Sequence, residues 1–240
     1  MEQVVITTAD GVRIVGDYYA SQSERGVLLL HMMPATRASW REFALRLQER
    51  GYQVLAIDLR GHGESDGGPD GYQDFTDAQH QASIHDVEAG VSFLQSKGVS
   101  KENLVLIGAS IGANLALWYM SDHTDIRQAV LLSAGLNYRS VETLPIVSKL
   151  KTGQRVFFAT STDDRPSPNV QLGTFRVVGN AEMNKKLHDA VSAGVEKKLL
   201  IYQHAGHGTD LLKVPNRTES REGFEKEEPD LATEIINWLE

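Results

Sequence analysis

Three short stretches carry side chains able to act together as nucleophile, acid and base. Gly108-Ala109-Ser110-Ile111-Gly112 sets a serine between two glycines. Thr160-Ser161-Thr162-Asp163-Asp164 offers two adjacent carboxylates, and His204-Ala205-Gly206-His207-Gly208-Thr209 offers two histidines. A serine hydroxyl is a weak nucleophile until a base takes its proton, and the base needs a carboxylate to fix its tautomer. Gly-x-Ser-x-Gly alone is a weak signal, because Ser110 in a Gly-rich turn could simply be a helix N-cap. Its surroundings must decide.

Those surroundings are a run of strands and helices. Val4 to Ile6 and Val12 to Tyr18 flank Asp10-Gly11, which reads as a hairpin. Short apolar runs then recur at Gly26–His31, Tyr52–Ile57, Asn103–Ile107, Gln128–Leu132, Arg155–Ala159 and Lys198–Tyr202. Runs of that kind suit strands buried on both faces of a parallel sheet. Helical spacing lies between them. Ser39 precedes Trp40, Phe43, Ala44 and Leu47; Ile84, Val87, Val91 and Leu94 share a face; Leu115, Leu117, Trp118 and Met120 follow Ser110. A further helix is expected around Ala181 to Ala193, and a last one opened by Pro229 and Asp230 with Leu231, Ile235 and Trp238 inward. Gly61 to Gln79 and Lys213 to Glu228 read as loops. The alternation predicts an α/β fold: a mainly parallel, doubly wound sheet with an N-terminal antiparallel hairpin and helices on both faces.

Function in such sheets sits at the C-terminal ends of the strands. Serine, acid and base all fall there, in the order Ser, Asp, His. Ser110 follows a buried strand and opens a helix, the setting of a sharp strand-to-helix turn that exposes a nucleophile. His31-Met32-Met33-Pro34 and Asp58-Leu59-Arg60-Gly61-His62-Gly63-Glu64-Ser65 stand at two other strand ends.

On the His31 loop, Asp58 to Ser65, the Ser110 turn and His207-Gly208-Thr209 the chain resembles the α/β-hydrolase superfamily, from the first hairpin to the last helix. It is most similar to the serine carboxylesterase and dienelactone-hydrolase-like group without a large cap. The resemblance implies Ser110 as nucleophile and His207 as base, since His207 matches the family's His-Gly position; His204 is the alternative, expected to be still extended. It implies Asp164 as the acid, from the spacing after Ser161 and the fit of Pro168, with Asp163 as the alternative. Oxyanion donors would be the amides of Ile111 and Met33. Met32 stands where the family more often has glycine, which leaves open whether Met32 or Met33 supplies the second amide. His31 and His62 are expected to shape loops, and His80, His85, His123 and His188 to be solvated.

Composition narrows the chemistry. There are no cysteines among the 240 residues, which excludes a thiol nucleophile, a disulfide framework and an iron–sulfur cluster. Twenty-four basic against 32 acidic residues give a net charge of −8, which argues against nucleic acid as a partner. No apolar run approaches the roughly 18 residues of a membrane span. Met1-Glu2-Gln3-Val4-Val5 lacks the basic start of a secretory signal, so a cytoplasmic protein is expected. His204-x-x-His207 is not a helical metal pair, and no His-Glu-x-x-His or phosphate-cradling loop occurs, so neither metal nor cofactor is expected.

One domain over residues 1–240 is expected, with a minimal lid segment at about 134–154. Its apolar side chains include Leu136 and Ile146, which with Met32 would line a pocket. The predicted activity is cleavage of small carboxylic esters with short to medium acyl chains. Alternatives are a thioesterase or lysophospholipase-like acyl hydrolase on the same triad, or a ligand-binding or signalling protein on the same fold. Oligomeric state is not legible.

Overall fold

Apolar runs buried on both faces build the centre of the molecule. The computed structural model describes residues 1–165, 179–213 and 230–240. The chain opens with β1 (Glu2–Thr7), β2 (Arg13–Tyr19) and β3 (Gly26–Leu30), then a 3-10 turn over Arg37–Trp40 and α1 (Arg41–Glu49). β4 (Gln53–Ile57), α2 (Asp77–Gln81), α3 (Ile84–Ser96), β5 (Leu104–Ala109), α4 (Ile111–Asp122) and β6 (Gln128–Leu132) follow. Next come β7 (Asn137–Tyr138), β8 (Val141–Glu142), α5 (Thr143–Val147) and β9 (Arg155–Ser161). α6 (Asn180–Ala190), β10 (Glu196–Tyr202) and α7 (Leu231–Leu239) close the described chain.

Among the described residues eight strands form one sheet in the order β1-β2-β4-β3-β5-β6-β9-β10. β2 pairs antiparallel with both β1 and β4, and all other neighbours are parallel. The side chains alternate with the strand period of two. Leu28, Leu30, Leu104, Leu106 and Phe158 face one cluster, with Val87, Leu94, Leu117 and Leu187 from α3, α4 and α6. Val27, Leu29, Val105, Ile107 and Phe157 face the other, with Phe43 and Leu47 of α1 and Ile235 and Trp238 of α7. Burying one such side chain contributes roughly 1.5–3 kcal/mol. A one-residue slip would turn every one of them to the wrong face, so the pattern holds the register.

Several local expectations change. Ser39 does not cap α1: it lies inside the 3-10 turn, where its hydroxyl donates to the Thr36 carbonyl. The polar stretch before Gln79 contains a helix, α2, because Thr76 and Gln79 cap each other reciprocally. His80 is not solvated but 2% exposed, edge-on to Phe75. β10 is half-buried instead of enclosed, because it forms one edge of the sheet. Asp230 does cap α7, accepting from the Thr233 amide, whereas Pro229 and Pro168 lie outside the described residues, as does the expected loop beyond Lys213.

Candidate active site

Ser110 stands between the end of β5 and the start of α4 with φ 52° and ψ −114°. For a residue with a Cβ this is strained, at a cost of order 1–3 kcal/mol. The surroundings hold it there. The Ser110 amide donates to the Leu132 carbonyl at 2.8 Å, and the Ser110 carbonyl accepts from Ala113 and Asn114. The flanking glycines are needed for close approach. A Cβ on Gly108 would lie 2.1 Å from the Gly112 carbonyl oxygen, and one on Gly112 would lie 2.3 Å from that of Leu30. The turn leaves Ser110 half-buried between buried neighbours. Ile111 opens α4, so helix geometry gives its N–H no intrahelical partner.

The His31 loop follows β3, the strand beside β5. His31 is fully buried; its Nε2 accepts from the Leu59 amide at 3.0 Å and its Nδ1 donates to the Met32 carbonyl at 2.9 Å. Both ring nitrogens are therefore committed, and the ring is neutral. Burial, then the neighbouring His62, pushes its pKa down to about 3. Downstream, Arg37 ties the loop to the end of β4. Its amide donates to Asp58 at 2.7 Å and its guanidinium binds Asp58, Asp17 and Glu64. Met32 and Met33 diverge. Met33 packs against the cluster under α4 and accepts from the Tyr138 hydroxyl at 3.6 Å. Met32 packs against the opposite cluster.

The two aspartates after β9 are held differently. Asp163 is exposed; its carboxylate takes the Ser161 hydroxyl and the Gly206 amide, and the Ser161 bond holds it below the usual carboxylate range. Asp164 is buried, and its Oδ1 accepts from His207 Nδ1 at 2.7 Å. Its Oδ2 accepts from Thr160 at 3.2 Å. His207 keeps a side-chain exposure of 33%. His204 is not extended: β10 ends at Tyr202 and His204 turns outward at φ 50°.

The chain then brings His207 toward Ser110. A Cβ on Gly208 would lie 2.5 Å from Met32 Sδ and 3.3 Å from the Ala109 Cβ. The residue after His207 thus packs against the residue before Ser110. Ser133, at the end of β6, fixes that turn: it accepts from the Gly208 amide at 2.8 Å from a left-handed φ of 55°. Sequence reading missed Ser133, although it stands at a strand end. It also missed Asn180 at the start of α6, whose amide donates to Asp164 Oδ1 at 2.5 Å; no motif marks it. Leu136 and Ile146 pack against the same cluster as Met33, so Met32 does not share theirs.

The sequence pattern described as alpha/beta hydrolase fold matches residues 26–182. The chain belongs to the α/β-hydrolase family. It is 34% identical over 112 residues to the AB hydrolase superfamily protein YisY of Bacillus subtilis (strain 168), covering 46% of this chain and 38% of that one. It is 27% identical over 124 residues to a thermostable monoacylglycerol lipase of Bacillus sp. (strain H-257), covering 52% and 46%. The chain thus spans less than half the length of these two curated relatives. Esterase RhEst1 from Rhodococcus sp. ECU1013 has the same fold, with a TM-score of 0.68, 17% identity and coverage of 100% and 98%. This α/β hydrolase has, among its described residues, no helix long and apolar enough to cross a membrane.

Proposed function

We propose that this α/β hydrolase cleaves carboxylic esters of short to medium acyl chains through an acyl-enzyme on Ser110. The observation that carries the reading is the 2.7 Å hydrogen bond between His207 Nδ1 and buried Asp164, in a turn packed against the residue before Ser110. That bond puts the proton on Nδ1 and leaves the Nε2 lone pair to accept one. In this mechanism Nε2 takes the proton of Ser110 as its Oγ attacks the ester carbonyl. The tetrahedral oxyanion is stabilised by the N–H of Ile111 and by that of Met33 or Met32. His207 then returns the proton to the leaving alcohol. Water repeats the sequence on the acyl-enzyme, releasing the acid and restoring Ser110.

An ester substrate is supported by the lipase and esterase among the similar proteins, and by the apolar side chains around the loop that follows β3. The domain is proposed to carry only a minimal lid. Residues 134–154 form the β7–β8 hairpin and α5, and Leu136, Tyr138 and Ile146 pack against the core, with Leu144 39% exposed. The test is incubation with a fluorophosphonate followed by intact mass. One label on wild type and none on Ser110→Ala is expected, with turnover of p-nitrophenyl butyrate falling about 1000-fold or more in the variant. Residual activity within tenfold of wild type would remove Ser110 from the mechanism. Acyl-CoA assayed beside p-nitrophenyl esters of rising chain length separates ester from thioester preference.

A further inference from the structure

One buried side chain lies within hydrogen-bond distance of both members of the Asp164–His207 pair. Asn180 is the first residue of α6 and is 3% exposed. Its Nδ2 donates to Asp164 Oδ1 at 2.5 Å, the oxygen that also accepts from His207, and lies 3.3 Å from His207 Nδ1. Two N–H donors therefore converge on a single acceptor. The Asn180 backbone N–H also donates to the Asp164 carbonyl at 3.1 Å. Asn184, one turn on, donates to the Asn180 carbonyl and to that of Ala134, both at 2.9 Å, and so ties the helix start to the chain just past β6.

We infer that Asn180 is a positioning residue that divides the charge of Asp164 Oδ1 between two donors and so limits how strongly Asp164 binds the His207 imidazolium. The inference rests on the reading of Ser110, His207 and Asp164 as a triad. A carboxylate oxygen that accepts a second hydrogen bond is a poorer acceptor for the first, because the donor offsets part of its negative charge. In a base, that matters in one direction. An imidazolium held too tightly cannot pass its proton to the leaving group, and the neutral form that accepts the serine proton appears only at higher pH. The amide also fixes the carboxylate plane from the side opposite Thr160, which donates to Oδ2.

The other charged groups nearby are engaged elsewhere. Asp163 is held by Ser161 and Gly206, and His204 turns outward beside it. Asp210, on the 3-10 turn after His207, pairs with Lys213 at 2.8 Å. Glu182, in the first turn of α6, pairs with Lys186 at 3.0 Å. Arg165, which follows Asp164, is exposed.

The experiment is the pH profile of kcat/KM on p-nitrophenyl butyrate for wild type, Asn180→Leu and Asn180→Asp, with the Tm of each. Leu fills the space without a donor, and Asp keeps the shape while placing a second carboxylate beside Nδ1. The acid limb should move to higher pH, by roughly half a unit for Leu and about one unit or more for Asp. A shift of one unit is a tenfold change in proton affinity. KM should change little. If both variants keep the wild-type midpoint, and lose rate only in step with Tm, Asn180 merely braces the start of α6 and the inference falls. If Asn180→Leu does not fold, Asn180→Asp alone decides in the same way. Ser110→Ala and His207→Gln are run beside them. Wild-type rates in either variant would overturn the triad itself, an outcome distinct from an unmoved midpoint.

Discussion

Asp58 and Asp164 are the same residue in the same kind of place. Each follows a strand of the central sheet, and each is buried, with side-chain exposures of 0%. Their partners differ. Asp58 takes the amides of Arg37 and Glu64 and the guanidinium of Arg37. Arginine stays charged at any working pH, so that carboxylate only ties two loops together. Asp164 takes an imidazole, an amide and a hydroxyl. An imidazole can accept or donate a proton, and in the proposed mechanism the same burial serves proton transfer. The partner's chemistry, more than burial, separates scaffold from site.

The sharpest way to break that contrast is to neutralise each carboxylate. Asp164→Asn should lower kcat by roughly 1000- to 10,000-fold, since the amide no longer enforces the proton on Nδ1 of His207. The fold should survive. Asp163→Asn should stay within a few-fold of wild type in the same steady-state assay. A reversed ranking would pass the acid's role to Asp163.

Asp58→Ala should show the opposite profile. It leaves half-buried Arg37 with two of its three carboxylates and the Arg37 and Glu64 amides without their acceptor, which typically costs about 1–3 kcal/mol. Urea unfolding should record the loss. The rate per folded molecule should fall far less than in Asp164→Asn. Wild-type stability in Asp58→Ala would mean that the loop after β3 is held by Asp17 and Glu64 alone.

Histidines carry the comparison into pH. At the Asp58 end His31, His62 and His80 are all buried, and burial lowers all three, to about 3 for His31 and about 4 for His80. A histidine depressed in the folded state binds fewer protons there than when unfolded, so its contribution is lost as pH falls below about 6.5. Burial raises Asp86 to about 6, which acts in the opposite sense by one proton. His31 and His80 against Asp86 leave about one proton, or roughly 1.4 kcal/mol of stability per pH unit near pH 5, and His62 acts in the same direction as the other two histidines. Tm should fall steeply between pH 6 and 4, and His80→Phe should flatten that slope. An unchanged slope in the variant would place the acid sensitivity elsewhere.

The smallest effect is expected at His204. His204→Gln should change kcat/KM by no more than a few-fold, because that side chain turns outward and His207 alone meets Asp164. A large loss in the same ester assay would reopen the choice between them.

The elements themselves were legible because their signals are local. The apolar runs announced the six inner and edge strands after the hairpin, and spacing announced α1, α3, α4, α6 and α7. The elbow was legible because glycine is required where backbones approach as closely as Gly108 and Gly112 do. Ser39, His80 and His204 misled for one shared reason. A serine's cap, a histidine's burial and a bend's direction depend on which neighbours arrive from other elements. Ser133 and Asn180 carried no signal of their own type, since serine and asparagine are common everywhere.

The sequence by itself determined the main strands, their alternating faces and the chain order of Ser110, the paired aspartates and the paired histidines, because hydrophobic period and turn chemistry act over a few residues. Only the tertiary structure decided which aspartate meets which histidine. Asp164 and His207 are 43 residues apart, and their 2.7 Å bond exists because parallel pairing of β9 with β10 brings both strand ends to one edge. The same packing delivers Asn180 to that pair and Arg37 to Asp58. Hydrogen bonds are short-ranged and directional, so a carboxylate's role is fixed only once the fold has chosen its donors.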